Sequence, residues 1–144
     1  MSKINIEGKS DIDDSFYRYK MRKMIIESQK NKTVITNLKE VGDDINRNPE
    51  TIAMFFKKKM SISISYKKNL FVTTAVLDYK QMHSLLREFI EMFVLCNKCQ
   101  LPEINIIVEK KKIEGVCQSC SNVIDYTNEK IVPSKILKSI AGTL

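Results

Sequence analysis

The sequence has little histidine and little glycine, and neither supports a common catalytic pattern. Its only histidine is His83, which lies in a predicted helix beside apolar positions, where a surface or boundary place is the usual one. A single histidine leaves most pairings of a nucleophile with a base incomplete. The four glycines (Gly8, Gly42, Gly115 and Gly142) are too scattered to form a glycine-rich phosphate-binding loop. These absences disfavour an autonomous enzyme.

The chain also has neither a long apolar run nor a secretory signal. No stretch approaches the roughly 18 apolar residues of a membrane-spanning helix, and charged side chains interrupt residues 1–10. We therefore expect a cytoplasmic protein in a reducing compartment, where four cysteines favour a metal site over disulfides. With 144 residues, of which 43% are hydrophobic and 28% charged, the chain is long and apolar enough to bury a core.

The charge balance is basic, and it allows two interpretations. Lysine and arginine number 24 against 17 aspartates and glutamates, which gives a net charge of +7. This charge suits an RNA or ribosomal partner whose phosphates it would neutralise. However, only four of these cations are arginines, and isoleucine and asparagine are abundant. That pattern also fits a coding sequence biased towards A and T, which raises the lysine content regardless of function.

The spacing of apolar residues predicts an α+β fold. The predicted strands are 33–38, 61–65 and 70–74, with the last two forming a hairpin. The predicted helices are 39–46, 49–59 and a long one that follows the capping residue Asp78 and carries an apolar stripe from Tyr79 to Phe93. In the second helix, Ile52, Phe55 and Phe56 share the face that we expect to be buried.

Four cysteines form two CxxC pairs near the end of the sequence. Cys96 and Cys99 are separated from Cys117 and Cys120 by 17 residues, a spacing typical of zinc ribbons. Each CxxC turn places two thiolates on one side of a knuckle, and a β-ribbon brings the two knuckles together. Four thiolates close a tetrahedral shell with no position for water, so we predict one structural zinc ion.

Composition then divides the chain into four segments. The predicted boundaries are 1–15 for a flexible, polar arm, 16–94 for an α/β subdomain, 95–126 for the zinc ribbon and 127–144 for a closing tail.

An arginine lies among three aromatic residues just after the predicted arm. Phe16, Tyr17 and Tyr19 surround Arg18 in the sequence. One interpretation is an aromatic anchor that pins the arm, with Arg18 solvated. The other is an arginine held by its aromatic neighbours and offered to an anion. Composition alone favours the first interpretation.

Lysine clusters form a candidate RNA-binding surface. The lysines at 57–59 end the second predicted helix, Lys67 and Lys68 fall in the hairpin turn, and Lys32 precedes the first strand. The alternative is a lysine-rich surface that is merely solvated.

Several segments together resemble the family of eukaryotic translation initiation factor 5. Ser15 to Met21 (SFYRYKM) resembles the N-terminal signature of that factor. Residues 93–103 (FVLCNKCQLPE), 32–37 (KTVITN) and 46–49 (NRNP) resemble both this factor and the related beta subunit of initiation factor 2. The similarity extends from about Ser15 to Asp125 and does not include the family's C-terminal helical-repeat domain. The segment around Arg18 favours factor 5 over the beta subunit.

The resemblance implies a fold and a role. The implied fold is an α/β subdomain like that of initiation factor 1, joined by a long helix to a zinc β-ribbon. The implied role is on the small ribosomal subunit, where the family stimulates GTP hydrolysis by initiation factor 2 carrying initiator tRNA and supports start-codon selection. The partners would be the factor 2 gamma subunit and small-subunit RNA. The chain would act as a monomeric accessory of a GTPase, with GTP bound by the partner.

The resemblance also implies roles for individual residues. Arg18 matches the family arginine that is proposed to act like an arginine finger, and Lys32 matches one of two lysines linked to activation. The other family lysine falls on Met54, which carries no charge, while Lys57 is one helical turn away. We expect the Arg18 guanidinium to have no fixed partner in the free protein.

Two other functions remain open at this point. A factor 2 beta-subunit-like module would be structural and RNA-binding, without GTPase activation, and would need an N-terminal helix that residues 1–15 do not offer. A zinc ribbon of transcription would need basic and acidic residues at its tip, and only the lysines at 110–112 fit.

Overall fold

The computed structural model of the protein describes residues 3–8, 12–14, 16–110, 112–128 and 132–144. The strands, in chain order, are β1 (Lys3–Asn5), β2 (Lys20–Arg22), β3 (Ile26–Gln29), β4 (Lys32–Ile35), β5 (Ile64–Lys67), β6 (Leu70–Thr73), β7 (Ile104–Glu109), β8 (Lys112–Cys117) and β9 (Val123–Asp125). The helices are α1 (Leu38–Asp44), α2 (Pro49–Met60), α3 (Tyr79–Phe93) and α4 (Ser134–Ile140), followed by a 3-10 turn at Ala141–Thr143. The architecture is α+β, as the sequence predicts. Within the described ranges, no helix combines the length and apolar character that crossing a bilayer requires.

A four-stranded antiparallel sheet, in the order β3-β4-β6-β5, forms the centre of the α/β part of the fold, which consists of the elements before β7. Its two hairpins turn at Lys30–Asn31 and at Lys68–Asn69. In the second turn both residues have positive φ, 52° and 64°, which matches the twist of a two-residue hairpin. The sheet therefore has short, rigid turns at its ends.

Helices α2 and α3 supply most of the buried aromatic side chains. Pro49 opens α2, and the Asn48 side chain accepts a hydrogen bond from the Glu50 N–H at 3.0 Å. Asp78 and Gln81 form a capping box that begins α3. The face predicted for α2 is confirmed, because its inward residues are fully buried: Ile52, Phe55 and Phe56.

The three-stranded ribbon β7-β8-β9 shares one apolar core with the α/β part of the fold. Tyr126, fully buried just after β9, packs against Phe93 of α3 with ring centroids 5.3 Å apart. Gly115 on β8 makes this packing possible, since a Cβ there would lie 2.8 Å from both Ile104 and the Tyr126 ring. A continuous apolar core thus holds the ribbon against the α/β part of the fold.

Arg47 also joins the ribbon to the α/β part of the fold. It lies between α1 and α2, and its Nη2 donates to the carbonyls of Phe93, at the end of α3, and Ile104, at the start of β7, both at 2.7 Å. Burial lowers the pKa of Arg47, and no protein acceptor lies within hydrogen-bond distance of its Nε among the described residues. The guanidinium therefore links α3 and β7 through their main chains.

We expect Arg47→Ala to lower the free energy of unfolding by about 2–4 kcal/mol, because two carbonyls lose a charged hydrogen-bond donor. Chemical denaturation of the purified protein measures this change. The matched control is Lys39→Ala, since Lys39 forms an exposed pair with Asp43 at 3.4 Å that contributes well under about 1 kcal/mol. Equal losses in the two variants would show that Arg47 does not join the parts of the fold.

The segment 1–15, which we predicted to be a flexible arm, contains regular structure. Lys3–Asn5 forms β1 and pairs antiparallel with β2. Ile6 is only 4% exposed, and Arg87 on α3 donates to the Gly8 carbonyl at 2.6 Å. Three residues are too few for an alternating pattern to be recognised in a sequence, and the partner strand supplies the order. Residues 1, 2, 9–11 and 15 lie outside the described part of the chain.

Further differences concern a strand and a helix that the sequence patterns missed and a strand whose start they misplaced. Strand β3 was missed because its burial is low and its residues do not alternate clearly. The strand predicted at 61–65 is wrong at its start, since Ser61 adopts a φ of 53° that ends α2 and β5 begins at Ile64. The segment 127–144, interpreted as a tail, contains α4, which buries Ile136 and Ile140 and packs on α2.

Candidate functional site

The four cysteines of the two CxxC pairs converge on one point. Their sulfur atoms all lie within 4.8 Å of one another, and the Sγ–Sγ distances are 3.6 Å for Cys96–Cys120 and for Cys99–Cys117. Disulfides are excluded because an S–S bond is about 2.05 Å long. Zn–S bonds of about 2.3 Å in a tetrahedron give S–S edges of about 3.8 Å. The cluster therefore fits a single tetrahedral metal ion.

The two knuckles that carry the cysteines have the same backbone geometry. The Gln100 N–H donates to the Cys96 carbonyl at 3.0 Å, and the Ser121 N–H donates to the Cys117 carbonyl at 2.9 Å. Gln100 and Ser121 both adopt a left-handed φ, 63° and 64°. Two copies of one turn thus present two thiols each towards the shared centre.

Backbone groups favour the thiolate form of Cys96. Burial alone would raise the pKa of this thiol, but N–H groups of Cys99 and Lys98 point at its sulfur from 3.5 and 3.3 Å and help to lower the pKa to about 6. The Asn122 side chain adds a contact with the same sulfur at 3.8 Å. A thiolate is the form that ligates a metal, so these backbone contacts favour Cys96 as a metal ligand.

The aromatic segment around Arg18 lies against this ribbon. Tyr17 and Tyr19 meet edge to face with ring centroids 5.4 Å apart. The Tyr19 hydroxyl donates to Glu103 Oε1 at 2.6 Å, immediately before β7. The pKa of Tyr17 is raised, chiefly by burial and further by the charge of Cys99. Sequence reasoning missed these contacts, because 84 residues separate Tyr19 from Glu103 and no local pattern joins them.

Arg18 is exposed, and the ring of Tyr19 lies beside its guanidinium. Its guanidinium carbon lies 5.1 Å from the centroid of the Tyr19 ring. Among the described residues, no carboxylate or carbonyl pairs with it. Our expectation that the guanidinium has no fixed partner therefore needs a correction, since it rests on Tyr19, but its hydrogen-bond donors remain available to a ligand.

The candidate RNA-binding lysines are exposed but fall into two groups. Lys32 begins β4, and the lysines at 57–59 lie in the last turn of α2. Strand register through β6 aligns the start of β4 with the start of β5, and three residues separate β5 from α2. Lys67 and Lys68 lie at the β5–β6 turn, at the opposite end of the sheet. One continuous lysine surface is therefore not formed by all three clusters.

Met54 has two of these lysines beside it. It lies half-buried on α2 and, together with Lys57 and Lys58, lines a surface depression of about 480 Å³. Residues three and four apart share one side of a helix. The uncharged side chain of Met54 thus has two positive neighbours on its side of α2.

His83 lies outside these sites. Its ring stacks on Tyr79 with centroids 5.4 Å apart, and burial is the main cause that lowers its pKa. Within the described residues, the metal-ligand group consists of the four cysteines alone.

The fold and the cysteine cluster define a class of protein: an α+β unit joined to a ribbon able to hold one metal ion. A family model matches residues 9–123, and its description is that of a domain found in initiation factors 2B and 5. Because the match covers most of the chain, the chain belongs to this family of translation initiation factor domains.

Curated relatives of two kinds are similar to the chain. Eukaryotic translation initiation factor 5 from Dictyostelium discoideum is 32% identical over 143 residues, 96% of this chain and 36% of that protein. The probable factor 5 of Schizosaccharomyces pombe is 34% identical over 135 residues, 87% of the chain and 34% of that protein. Translation initiation factor 2 subunit beta from Nanoarchaeum equitans is 34% identical over 98 residues, 67% of the chain and 70% of that protein.

These matches confirm the resemblance that the sequence segments indicated. The chain spans about a third of the length of the factor 5 relatives.

Proposed function

We propose that the protein acts in the cytoplasm as a factor 5-type regulator of translation initiation. In this role it binds the small ribosomal subunit together with initiation factor 2, GTP and initiator tRNA, and it stimulates GTP hydrolysis and start-codon selection. It is an accessory of a GTPase and not itself an enzyme, and it works as a monomer. The observation that carries the proposal is an exposed Arg18 with available donors, supported on the ribbon by Tyr19.

The chemistry required of Arg18 is electrostatic. During phosphoryl transfer, negative charge spreads over the oxygens of the γ-phosphoryl group, and a guanidinium supplied in trans stabilises that charge. Its planar donors span two oxygens, which an ammonium group does not. Lys32 would support this action as a second cation, and the lysines next to Met54 would act in place of the related lysine.

The metal of the ribbon is zinc under this proposal. Four thiolates leave no open position, so the ion is structural: it stabilises a small ribbon and takes no part in GTP hydrolysis. Cys96, Cys99, Cys117 and Cys120 hold it.

Sedimentation with small ribosomal subunits tests the proposed association. We expect the protein to sediment with the subunits, and to do so more strongly when factor 2, GTP and initiator tRNA are present. Absence of sedimentation under both conditions would contradict the proposal.

We further propose that the exposed lysines contact RNA, and we expect their loss to weaken small-subunit binding and its salt dependence. Each phosphate contact removed should reduce the slope of log affinity against log salt by roughly 0.7–0.9. Neutralising Lys32 and 57–59 by glutamine is compared with neutralising Lys67 and Lys68, because the two groups lie at opposite ends of the sheet. The control is Lys80→Gln on α3. Unchanged binding after neutralising every cluster would favour the merely solvated surface.

The similarity to the Nanoarchaeum beta subunit supports a second candidate, a structural and RNA-binding module of factor 2 without GTPase activation. Binding to the isolated gamma subunit separates the two candidates. Tight binding that is independent of GTP, without acceleration of hydrolysis, favours the beta-like module.

A further inference from the structure

We propose that Tyr19 and Glu103 are positioning residues for Arg18, through which the ribbon presents the guanidinium to its target. This inference rests on the proposed function of Arg18. It assigns to the ribbon a task beyond its own stability: to hold one side of the activating arginine.

The contacts form a chain from the ribbon to the guanidinium. Glu103 Oε1 accepts the Tyr19 hydroxyl at 2.6 Å, which fixes the ring at its outer end. Tyr17 packs edge-on against the same ring, at 5.4 Å between centroids. Arg18 then lies over the Tyr19 ring, 5.1 Å from its centroid. Since a cation is attracted to the face of an aromatic ring, fixing the ring restricts the guanidinium.

Glu103 is itself held by the ribbon. Its carbonyl accepts the N–H of Gln118, in the second cysteine knuckle, at 2.8 Å. The next residue, Ile104, begins β7 and accepts the Arg47 guanidinium. The main chain of Glu103 is therefore held on one side by the second cysteine knuckle, and the residue after it is held by Arg47. The Glu103 side chain thus extends from a fixed backbone position.

Electrostatics agree with this arrangement. The hydrogen bond to Glu103 is the main cause that raises the pKa of Tyr19, whereas the positive charge of Arg18 acts to lower it. A phenol is protonated at neutral pH, and the raised pKa extends the pH range over which Tyr19 donates to Glu103. It also provides a signal that reports on both neighbours.

The first test is structural and needs no partner. NMR of the full chain measures the pKa of the Tyr19 ring and the ring-current shift of the Arg18 side chain. We expect Glu103→Ala to lower the Tyr19 pKa towards its ordinary value and to reduce the Arg18 shift. Glu103→Gln should preserve the Arg18 shift, because its amide oxygen still accepts the hydroxyl. The matched control is Glu109→Ala, which removes the same charge from the far end of β7.

Tyr19→Phe is the second variant, in case Glu103→Ala disturbs the fold. It keeps the ring and removes only the hydroxyl, so it should reduce the Arg18 shift as Glu103→Ala does. Combining both changes should add little to either one, because they break the same hydrogen bond.

The second test is single-turnover GTP hydrolysis with the complete initiation complex, at increasing concentrations of each variant. We expect Glu103→Ala and Tyr19→Phe to lower the maximal rate on the order of tenfold, since small misplacements of a catalytic group carry large rate penalties. The half-saturating concentration should stay within about twofold of wild type, because positioning affects the rate after binding. Glu103→Gln should recover most of the rate.

The outcomes separate this inference from the proposed function. An unchanged Arg18 shift in Glu103→Ala and Tyr19→Phe overturns the positioning role, whatever the rates are. Equal loss of rate in Glu103→Ala and Glu109→Ala also overturns it. If the wild-type protein does not accelerate hydrolysis, the proposed function fails, and the NMR comparison still decides whether Glu103 and Tyr19 hold Arg18.

Discussion

Replacing Cys117 by serine is expected to abolish tight metal binding and to unfold the ribbon, while much of the α/β part keeps its structure. The reason is the size of the metal term: structural zinc sites contribute roughly 10–16 kcal/mol of apparent binding free energy, as much as or more than the total stability of about 5–15 kcal/mol of a typical domain. The apolar contacts that the ribbon shares with α3 are too few to replace that contribution, whereas the sheet and α2 keep contacts such as that between Phe56 and Phe71. Metal analysis of the purified protein and NMR of the ribbon amides measure the effect.

The matched control for this substitution is Ser119→Ala. Ser119 lies in the same knuckle, between Cys117 and Cys120, and is exposed. The Ser119→Ala variant should retain one zinc per chain and should have the same ribbon spectra as the wild type. Purified wild-type protein without zinc would contradict the prediction, as would ribbon spectra that survive Cys117→Ser.

Removing the guanidinium by Arg18→Ala is expected to slow stimulated GTP hydrolysis strongly while the fold stays intact. Arginine fingers accelerate hydrolysis on the order of 10³–10⁵-fold, so loss of the side chain should remove most of the stimulation. The stability change should stay within about 1 kcal/mol, because the exposed side chain loses only its contact with Tyr19. Thermal unfolding and single-turnover hydrolysis measure the two effects.

Arg18→Lys tests whether the rate depends on the planar geometry of the guanidinium or only on its positive charge. We expect it to restore the rate only in part, because an ammonium lacks the planar pair of donors. Lys23→Ala is the control, since Lys23 is an exposed cation just after β2 that also lies over an aromatic ring, that of Tyr79. Full activity of Arg18→Lys would show that charge alone is sufficient.

The cysteine spacing and the apolar stripes were sufficient to predict the ribbon, α2 and α3. CxxC pairs and capping residues are local signals, and they fix local geometry wherever the chain folds. The stripe on α3 correctly indicated the side that now packs against Phe55 and Tyr126.

Contacts between distant residues could not be predicted in the same way. Strand β1 is ordered by β2, and α4 by α2, so their structure depends on partners rather than on their own pattern. The linkage through Arg47 and the bond between Tyr19 and Glu103 each join residues more than 45 positions apart. For the candidate site, the sequence therefore indicated Arg18 and the cysteines but not the contacts that bring them together.

Single-turnover GTP hydrolysis by the factor 2 complex on small ribosomal subunits tests the central claim most directly. The proteins compared are wild type, Arg18→Ala and Met54→Lys, which adds the cation that the resemblance to the family implies at this position. We predict that the wild type accelerates hydrolysis, that Arg18→Ala falls towards the unstimulated rate, and that Met54→Lys is at least as fast as wild type. If all three give the rate of the unstimulated complex, the activator account is contradicted, and a ribosome- or tRNA-binding role without activation takes its place.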